Sequence, residues 1–368
     1  MRVLVVNAGS STVKLSLLGP EDEELGDREL PAPDARLDPG QLRAALGEGL
    51  GDADAVGHRV VHGGEQFRDP VLIDDGVEKA LRGLVGLAPL HQPNSLAALD
   101  AVARALPGLP AVACFDTAFH ASLPDAAFVY ALPAAWRGRW GVRRYGFHGL
   151  SHAWVAHRAP EVLGAPGPAD LRIVSCHLGA GASLCAIADG RSVDTTMGFT
   201  PLEGLVMATR SGNVDPGLLM WLLERDALTT AELAHALDHE SGLLGLAGTA
   251  DMREVLARAS AGDPVGQLAL AVYLHRLRAG IAAMTAALGG LDALVFTAGV
   301  GERSAEIRAG ATEGLDFLGV AIDPGRNAGA TGDMEISAAG AMARTLVLHA
   351  REDLQIAHET RRVLRSEQ

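Results

Sequence analysis

The segment GHRVVHGGEQF (57–67) brings Arg59, His62 and Glu65 together at the end of an apolar run and beside a double glycine. On an extended strand Arg59 and Val61 share a face, which sets a two-pronged cation suited to a carboxylate next to a small apolar surface. A small organic acid with a short alkyl tail fits that pairing. FDTAFH (115–120) leaves Asp116 just beyond another apolar run, where functional groups of α/β proteins gather; a carboxylate there equally caps a helix. RRYGFHGLSH (143–152) packs Arg143, Arg144, His148 and His152 around Gly146 and Gly149 and reads as an anion site. Residues 192–216, SVDTTMGFTPLEGLVMATRSGNVDP, are long, polar and glycine-rich, with Arg210 before a Ser-Gly turn; they read as an active-site loop rather than a connector. FTAGVGERS (296–304) is a strand, a glycine turn and a helix start able to approach a nucleotide. In NAGSSTVK (7–14), Gly9 lets backbone N–H groups approach an anion, and Ser10, Ser11, Thr12 and Lys14 add hydroxyls and a charge. Lys14 is one of two lysines in the chain, the other being Lys79.

These residues need strands to end beside them. MRVLVVNAGSSTVKLSLL reads as two strands joined by a tight turn. Residues 171–187, LRIVSCHLGAGASLCAI, repeat the pattern: an apolar run, a polar residue (Asn7 or His177), Gly and Ser at the turn, and an apolar return. The echo implies two similar domains, each offering a phosphate-binding turn; two unrelated hairpins are the alternative. Further strands are expected at 56–61, 111–116, 291–297 and 345–349. Helices are expected around 94–105, 151–163, 218–238 and 352–364, with the clearest at 264–288, where Leu270, Leu274, Leu277, Ile281, Met284 and Leu288 form one stripe. Residues 298–302 read as a turn, and the Pro/Asp/Glu-rich stretch 19–55 as a surface excursion. Alternating strands and helices imply an α/β architecture.

At 368 residues, with 48% hydrophobic and 21% charged residues, the chain is long enough for two domains and is not disordered. Its net charge of −14 argues against nucleic-acid and anionic-membrane partners, and leaves room for a small anion held by a few cations. Cys114, Cys176 and Cys185 cannot close a disulfide framework, which implies a reduced, cytoplasmic protein. No signal peptide is visible, and the apolar region 279–300 is interrupted by Gly289, Gly290 and Asp292, as expected for a helix end and a buried strand rather than a membrane span.

In order along the whole chain, NAGSSTVK, HRVVHGGE, FDTAFH, RRYGFHGLSH, CHLGAGAS, VDTTMGFTPLEGL, TRSG and FTAGVGE resemble the motifs of the acetate kinase family. The resemblance implies two similar α/β domains of the acetate and sugar kinase/Hsp70/actin (RNase H-like) type with a nucleotide cleft between them, placed at 1–148 plus about 354–368 and at 149–353. It implies reversible transfer of the ATP γ-phosphoryl group to acetate, giving acetyl phosphate and ADP, with Mg²⁺ (or Mn²⁺), in a cytoplasmic homodimer. By resemblance Asn7 and Glu352 would hold the metal and Lys14 would contact ATP. Arg59 would bind the acetate carboxylate, with Val61, Leu90, Phe147 and Pro201 around its methyl group. Asp116, His148 and Arg210 would be catalytic. Because acetate is already ionised at neutral pH, with carboxyl pKa values near ~4, a positioning or metal-linked role is expected for Asp116 rather than that of a base. His177, Leu178, Gly179, Ala180 and Gly181, Asp251, Met252 and Arg253, and Gly299, Val300, Gly301, Glu302 and Arg303 would bind ATP.

The chain departs from the family pattern at several positions. Ala180 and Arg303 each stand where the family usually has Asn, and Gln92 replaces the Asn after His91. Arg351-Glu352-Asp353-Leu354 leaves two carboxylates as candidates for one metal position. A propionate or butyrate kinase remains open, since one methylene in an apolar pocket is worth only ~1–3 kcal/mol. An actin- or Hsp70-like conformational ATPase is the more remote alternative.

Overall fold

The computed structural model describes residues 1–9, 12–32, 38–88, 92–225 and 228–367. The chain forms two compact units that interleave in sequence. One comprises Met1–Ala121, Phe147–Trp154 and Arg351–Gln368; the other comprises Ser122–Gly146 and Val155–Ala350. The first unit therefore recruits the start of the Gly149–Leu163 helix and the whole Glu352–Ser366 helix.

The first unit is built on β1 (Val3–Ala8), β2 (Thr12–Leu18), β3 (Glu24–Pro31), β4 (Ala55–Val60), β5 (Val71–Leu72) and β6 (Ala111–Phe115), in the order β3-β2-β1-β4-β6-β5. β1, β4 and β6 are parallel neighbours, and the other pairings are antiparallel. The near-continuous apolar run of β1 follows from burial on both faces. Leu4, Val6 and Ala8 pack with Ala98 and Val102 of the Gln92–Ala105 helix. Val3 and Val5 pack with Leu354, Ile356 and Ala357 of the Glu352–Ser366 helix.

The second unit contains β7 (Arg172–Leu178), β8 (Ala182–Ala188), β9 (Arg191–Thr195), β10 (Ala293–Thr297), β11 (Met334–Glu335) and β12 (Arg344–Val347), in the order β9-β8-β7-β10-β12-β11. Strand for strand, its order and directions repeat those of the first sheet. Both sheets also slip by one residue at the same place in the meander, between Leu17 and Leu18 and between Ala186 and Ile187. Val3 pairs with Leu18 and Ile173 with Ile187 at that point, which makes Asn7 and His177 equivalent positions. The echo between residues 2–18 and 171–187 is thus a repeated sheet.

Local signals set several boundaries well. The long helix runs Pro264–Leu288, capped by the Asp263 side chain on Val265 N, with Pro264 in its first turn and Gly289 left-handed at its end. Elsewhere the expectations need correction. The helix expected over 218–238 is interrupted: Pro216–Glu224 ends, and a new helix starts at Thr230 because Thr229 and Glu232 form a reciprocal capping box. Residues 298–302 are helical, within Ala298–Arg303. Within 19–55 lies a full strand, β3, whose exposed charged residues suit the edge of a sheet. No helix among the described residues is long and apolar enough to cross a membrane.

Candidate active site

In the first unit, the carboxyl ends of the parallel strands β1, β4 and β6 carry Asn7, Arg59 and Asp116 side by side. The Arg59 guanidinium grips Asp116, with Nε 3.1 and 3.2 Å from the two carboxylate oxygens and Nη2 2.6 Å from Oδ2. Its Nη1 donates to Asn7 Oδ1 at 3.0 Å, and Asn7 Nδ2 donates to Glu352 Oε2 at 3.1 Å. A continuous chain Glu352–Asn7–Arg59–Asp116 results. Of the two carboxylates at the start of the last helix, Glu352 joins this chain, while Asp353 is paired with Arg351 at 2.8 Å.

The chain is sheltered: the Arg59 and Asp116 side chains are 17% and 2% exposed. Burial pushes the Asp116 carboxyl above the usual carboxylate range; Arg59 pulls it back and the Glu352 charge adds to the rise. For Arg59, burial works against the charge, and the carboxylates of Asp116 and Glu352 outweigh it, so the guanidinium stays protonated. Removing either partner would strand a buried charge, at a cost of about 3–5 kcal/mol.

The Gly149–Leu163 helix begins against this cluster. Gly149 N donates to the Asp116 carbonyl at 2.8 Å, and a Cβ at position 149 would lie 2.1 Å from that oxygen. Only glycine permits the approach. The preceding His148 is left-handed, with φ +55°, a conformation costing about 1–3 kcal/mol for a residue with a Cβ. Phe147 is buried, its carbonyl accepts from His120 Nε2 at 3.0 Å, and its ring meets that of His62 edge-on at 5.5 Å. Burial pulls His62 down to about 4, which keeps it neutral at physiological pH. Val61 is buried beside it in sequence. Leu90, like Ser10, Ser11 and His91, lies outside the described residues.

Gln92, singled out in the sequence only as a departure from the family pattern, has a structural part here. Its side chain clamps the backbone of His62, accepting from N and donating to O at 3.2 Å each. It thereby fixes the turn that follows Arg59. Lys14 is exposed on β2, directly opposite Asn7 on one side and Glu29 on the other.

The second unit contains a pocket of about 680 Å³. Gly179, Ala180, Asp251, Met252, Arg253, Gly299, Val300 and Arg303 line it, together with Leu256, Ala257 and Tyr273, which sequence motifs gave no reason to select. Two signals shape its mouth. Gly179 N donates to Gly181 O at 3.0 Å, closing the β7–β8 turn, and Asp251 caps the Met252–Ser260 helix through Arg253 N. The Asp251 carboxylate also pairs with the Arg253 guanidinium, which holds it down at about 2. Leu178 is fully buried and His177 nearly so, and neither they nor Gly181, Gly301 and Glu302 line the pocket. Glu302 instead accepts from Ala350 N at 2.9 Å and pairs with His349 at 2.6 Å.

The start of the 192–216 segment belongs to β9, which ends at Thr195, and residues 196–215 form the loop between it and the Pro216–Glu224 helix. Arg144 donates to Glu203 Oε1 at 2.6 Å and to the carbonyls of Thr196 and Met197, while the Tyr130 hydroxyl donates to Glu203 Oε2. A Cβ at Gly198 would strike both Glu203 and Tyr130, so glycine is required there. Arg144 is thereby consumed in bracing the loop, and Arg143 stacks on Phe128 with its guanidinium carbon 3.8 Å from the ring centre. His148 and His152 belong to the other unit. Further along, Arg210 Nη1 donates to the carbonyl of Pro201 at 3.3 Å, and its Nε lies 3.9 Å from Asp238 Oδ1. Burial lowers its pKa, and Asp238 opposes that.

Comparison with known proteins places this geometry. Residues 41–358 match the Acetokinase family. An acetate kinase from Deinococcus deserti is 48% identical, over 99% of this chain and 98% of its own length. The crystal structure of Porphyromonas gingivalis acetate kinase superposes with a TM-score of 0.90 at 36% identity, covering 99% of each chain. That of a propionate kinase from Francisella tularensis gives 0.90 at 34% identity, covering 98% of this chain and 99% of the other. The chain belongs to the acetokinase family.

Proposed function

We propose that the protein is an acetate kinase: the first unit binds the acid, the second binds ATP, and the γ-phosphoryl group passes to an acetate oxygen. The P–O bond to ADP breaks as the bond to acetate forms, giving acetyl phosphate. The observation that carries this reading is the buried chain Glu352–Asn7–Arg59–Asp116. A charged guanidinium held by Asp116 through Nε and Nη2 and by Asn7 through Nη1 still has one N–H on each Nη for a carboxylate, and Val61 and Phe147 supply apolar surface for a methyl group. Acetate arrives ionised, so no base is needed. Asp116 is a positioning residue that aims and charges Arg59. His148 and Arg210 are the candidates for stabilising the transferred group, whose charge develops on its equatorial oxygens. Lys14 and the glycine turns supply further contacts to the nucleotide phosphates.

Asn7 and Glu352 offer oxygen ligands, and no group of three or more His, Cys, Asp or Glu side chains suited to a metal occurs among the described residues. That fits Mg²⁺, which takes one or two carboxylates and completes its shell with water and phosphate oxygens; Mn²⁺ shares the preference for oxygen. When bound, such an ion neutralises phosphate charge.

A homodimer is part of the proposal. The Pro216–Glu224 helix, PGLLMWLLE, buries none of its residues, and Leu218, Met220 and Trp221 are 46–54% exposed. A second copy of the chain is its proposed cover. Three buried free thiols suit a reducing cytoplasm.

A hydroxamate assay for acyl phosphate, with purified protein, Mg-ATP and a panel of short carboxylic acids, tests the reading. Acetate is expected to give the highest kcat/KM. Equal or better turnover of propionate or butyrate would reassign the substrate, and ATP hydrolysis without any acyl phosphate would overturn the kinase.

A further inference from the structure

Two cations line the nucleotide pocket, and only one is committed. Arg253 is paired with Asp251 at 2.5 Å, whereas Arg303 makes no ion pair or side-chain hydrogen bond among the described residues. Glu306 also lines the pocket, where its Oε2 accepts from the Ser304 hydroxyl at 3.2 Å, and it forms no ion pair with Arg303 among the described residues. Arg303 closes the Ala298–Arg303 helix, roughly 7 Å of helical rise from the first residue. The opposite end of that helix meets the glycine turn, where a Cβ on Gly179 would lie 3.8 Å from that of Ala298. With the phosphates at the glycine turn, Arg303 stands at the other end of this helix, and Leu256, Ala257 and Tyr273, which line the same pocket, offer apolar surface for a flat base.

A guanidinium donates and never accepts. Guanine presents two adjacent acceptors, O6 and N7, that match its fork; adenine presents an amine donor beside N7 and admits one bond at most. Resting on the reading of this pocket as a nucleotide site, we propose that Arg303 determines base specificity and turns the pocket toward 6-oxopurines, so that GTP serves as phosphoryl donor at least as well as ATP.

The test measures kcat/KM for ATP, GTP and ITP with acetate saturating, in wild type, Arg303→Asn and Arg303→Lys. ITP keeps O6 and N7 and lacks the 2-amine, so it is expected to follow GTP. In wild type the GTP:ATP ratio is expected at or above one, falling about tenfold in Arg303→Asn, the equivalent of one good bidentate base contact, and less in Arg303→Lys. A wild type that turns over ATP but not GTP, or a ratio unmoved by Arg303→Asn, overturns the inference and leaves the kinase reading intact. No acetyl phosphate with any nucleotide overturns both.

Discussion

Replacing Glu359 with Gln should stabilise the protein at alkaline pH and leave it nearly unchanged at acid pH. Glu359 lies on the Glu352–Ser366 helix, in the part of the first unit where Cys114 of β6 meets that helix through the carbonyl of Ile356 at 3.8 Å. Its Oε1 accepts from Gln355 at 3.0 Å, but Oε2 is buried with no hydrogen-bond partner among the described residues. Burial raises the carboxyl from 4.5 to about 7, against the pull of Gln355, Cys114 and Arg362, with Asp69 adding to the rise. The folded state therefore keeps a proton that the unfolded chain has lost. Stability attributable to this group is whole below pH 4.5, declines as pH rises through the window to about 7, and stays reduced above it. A difference of roughly 2.5 pKa values corresponds to at most about 3 kcal/mol. Gln copies the neutral acid in shape and cannot ionise, so Glu359→Gln should recover most of that at pH 8 and almost none near pH 4.5. Urea unfolding followed by far-ultraviolet circular dichroism at several pH values reads the difference directly. A gain of the same size at every pH, or no gain at pH 8, would refute the assignment of a buried neutral carboxyl.

Other outcomes bear on the site. Arg59→Ala should raise KM for acetate far more than KM for ATP and lower stability by about 3–5 kcal/mol, because Asp116 is left buried and unpaired; a larger effect on ATP would contradict its role. His148→Gly should lower kcat by about 100-fold or more while leaving the melting temperature unchanged or higher, since glycine accepts the left-handed backbone at 148. Steady-state kinetics alongside calorimetry separates the two effects. Trp221→Glu should convert a dimer into monomers in sedimentation velocity, and an unchanged sedimentation coefficient would remove the Pro216–Glu224 helix from the interface.

What could be read in advance was whatever a short window encodes. Asn7, Arg59 and Asp116 each follow an apolar run, so their places at strand ends were legible, and the echo around Asn7 and His177 foretold the repeated sheet. Pairing across long sequence distances was not. Nothing near Arg144 announces Glu203, and nothing near Glu302 announces Ala350 and His349, yet those partners decide that both side chains brace the backbone. Likewise β3 alternates charge rather than hydrophobicity because it closes the edge of a sheet, so periodicity could not single it out. Gln92 was legible only as a departure from the family pattern, because its function depends on reaching the main chain of His62, thirty residues earlier.

The division of the first unit across the sequence has a consequence for biosynthesis. Val3, Val5 and Cys114 belong to a face covered by Leu354, Ile356 and Ala357. On a translating ribosome that face is complete long before its cover exists: residues 122–350 intervene, which at ~5–20 residues per second takes roughly 10–50 s. The nascent chain must spend that interval with a sticky sheet exposed, while the whole second unit is made and can fold. A trigger-type chaperone is therefore expected to hold the first unit during synthesis, and ribosomal stalling before codon 351 should yield aggregates seeded by its N-terminal strands rather than a half-active enzyme.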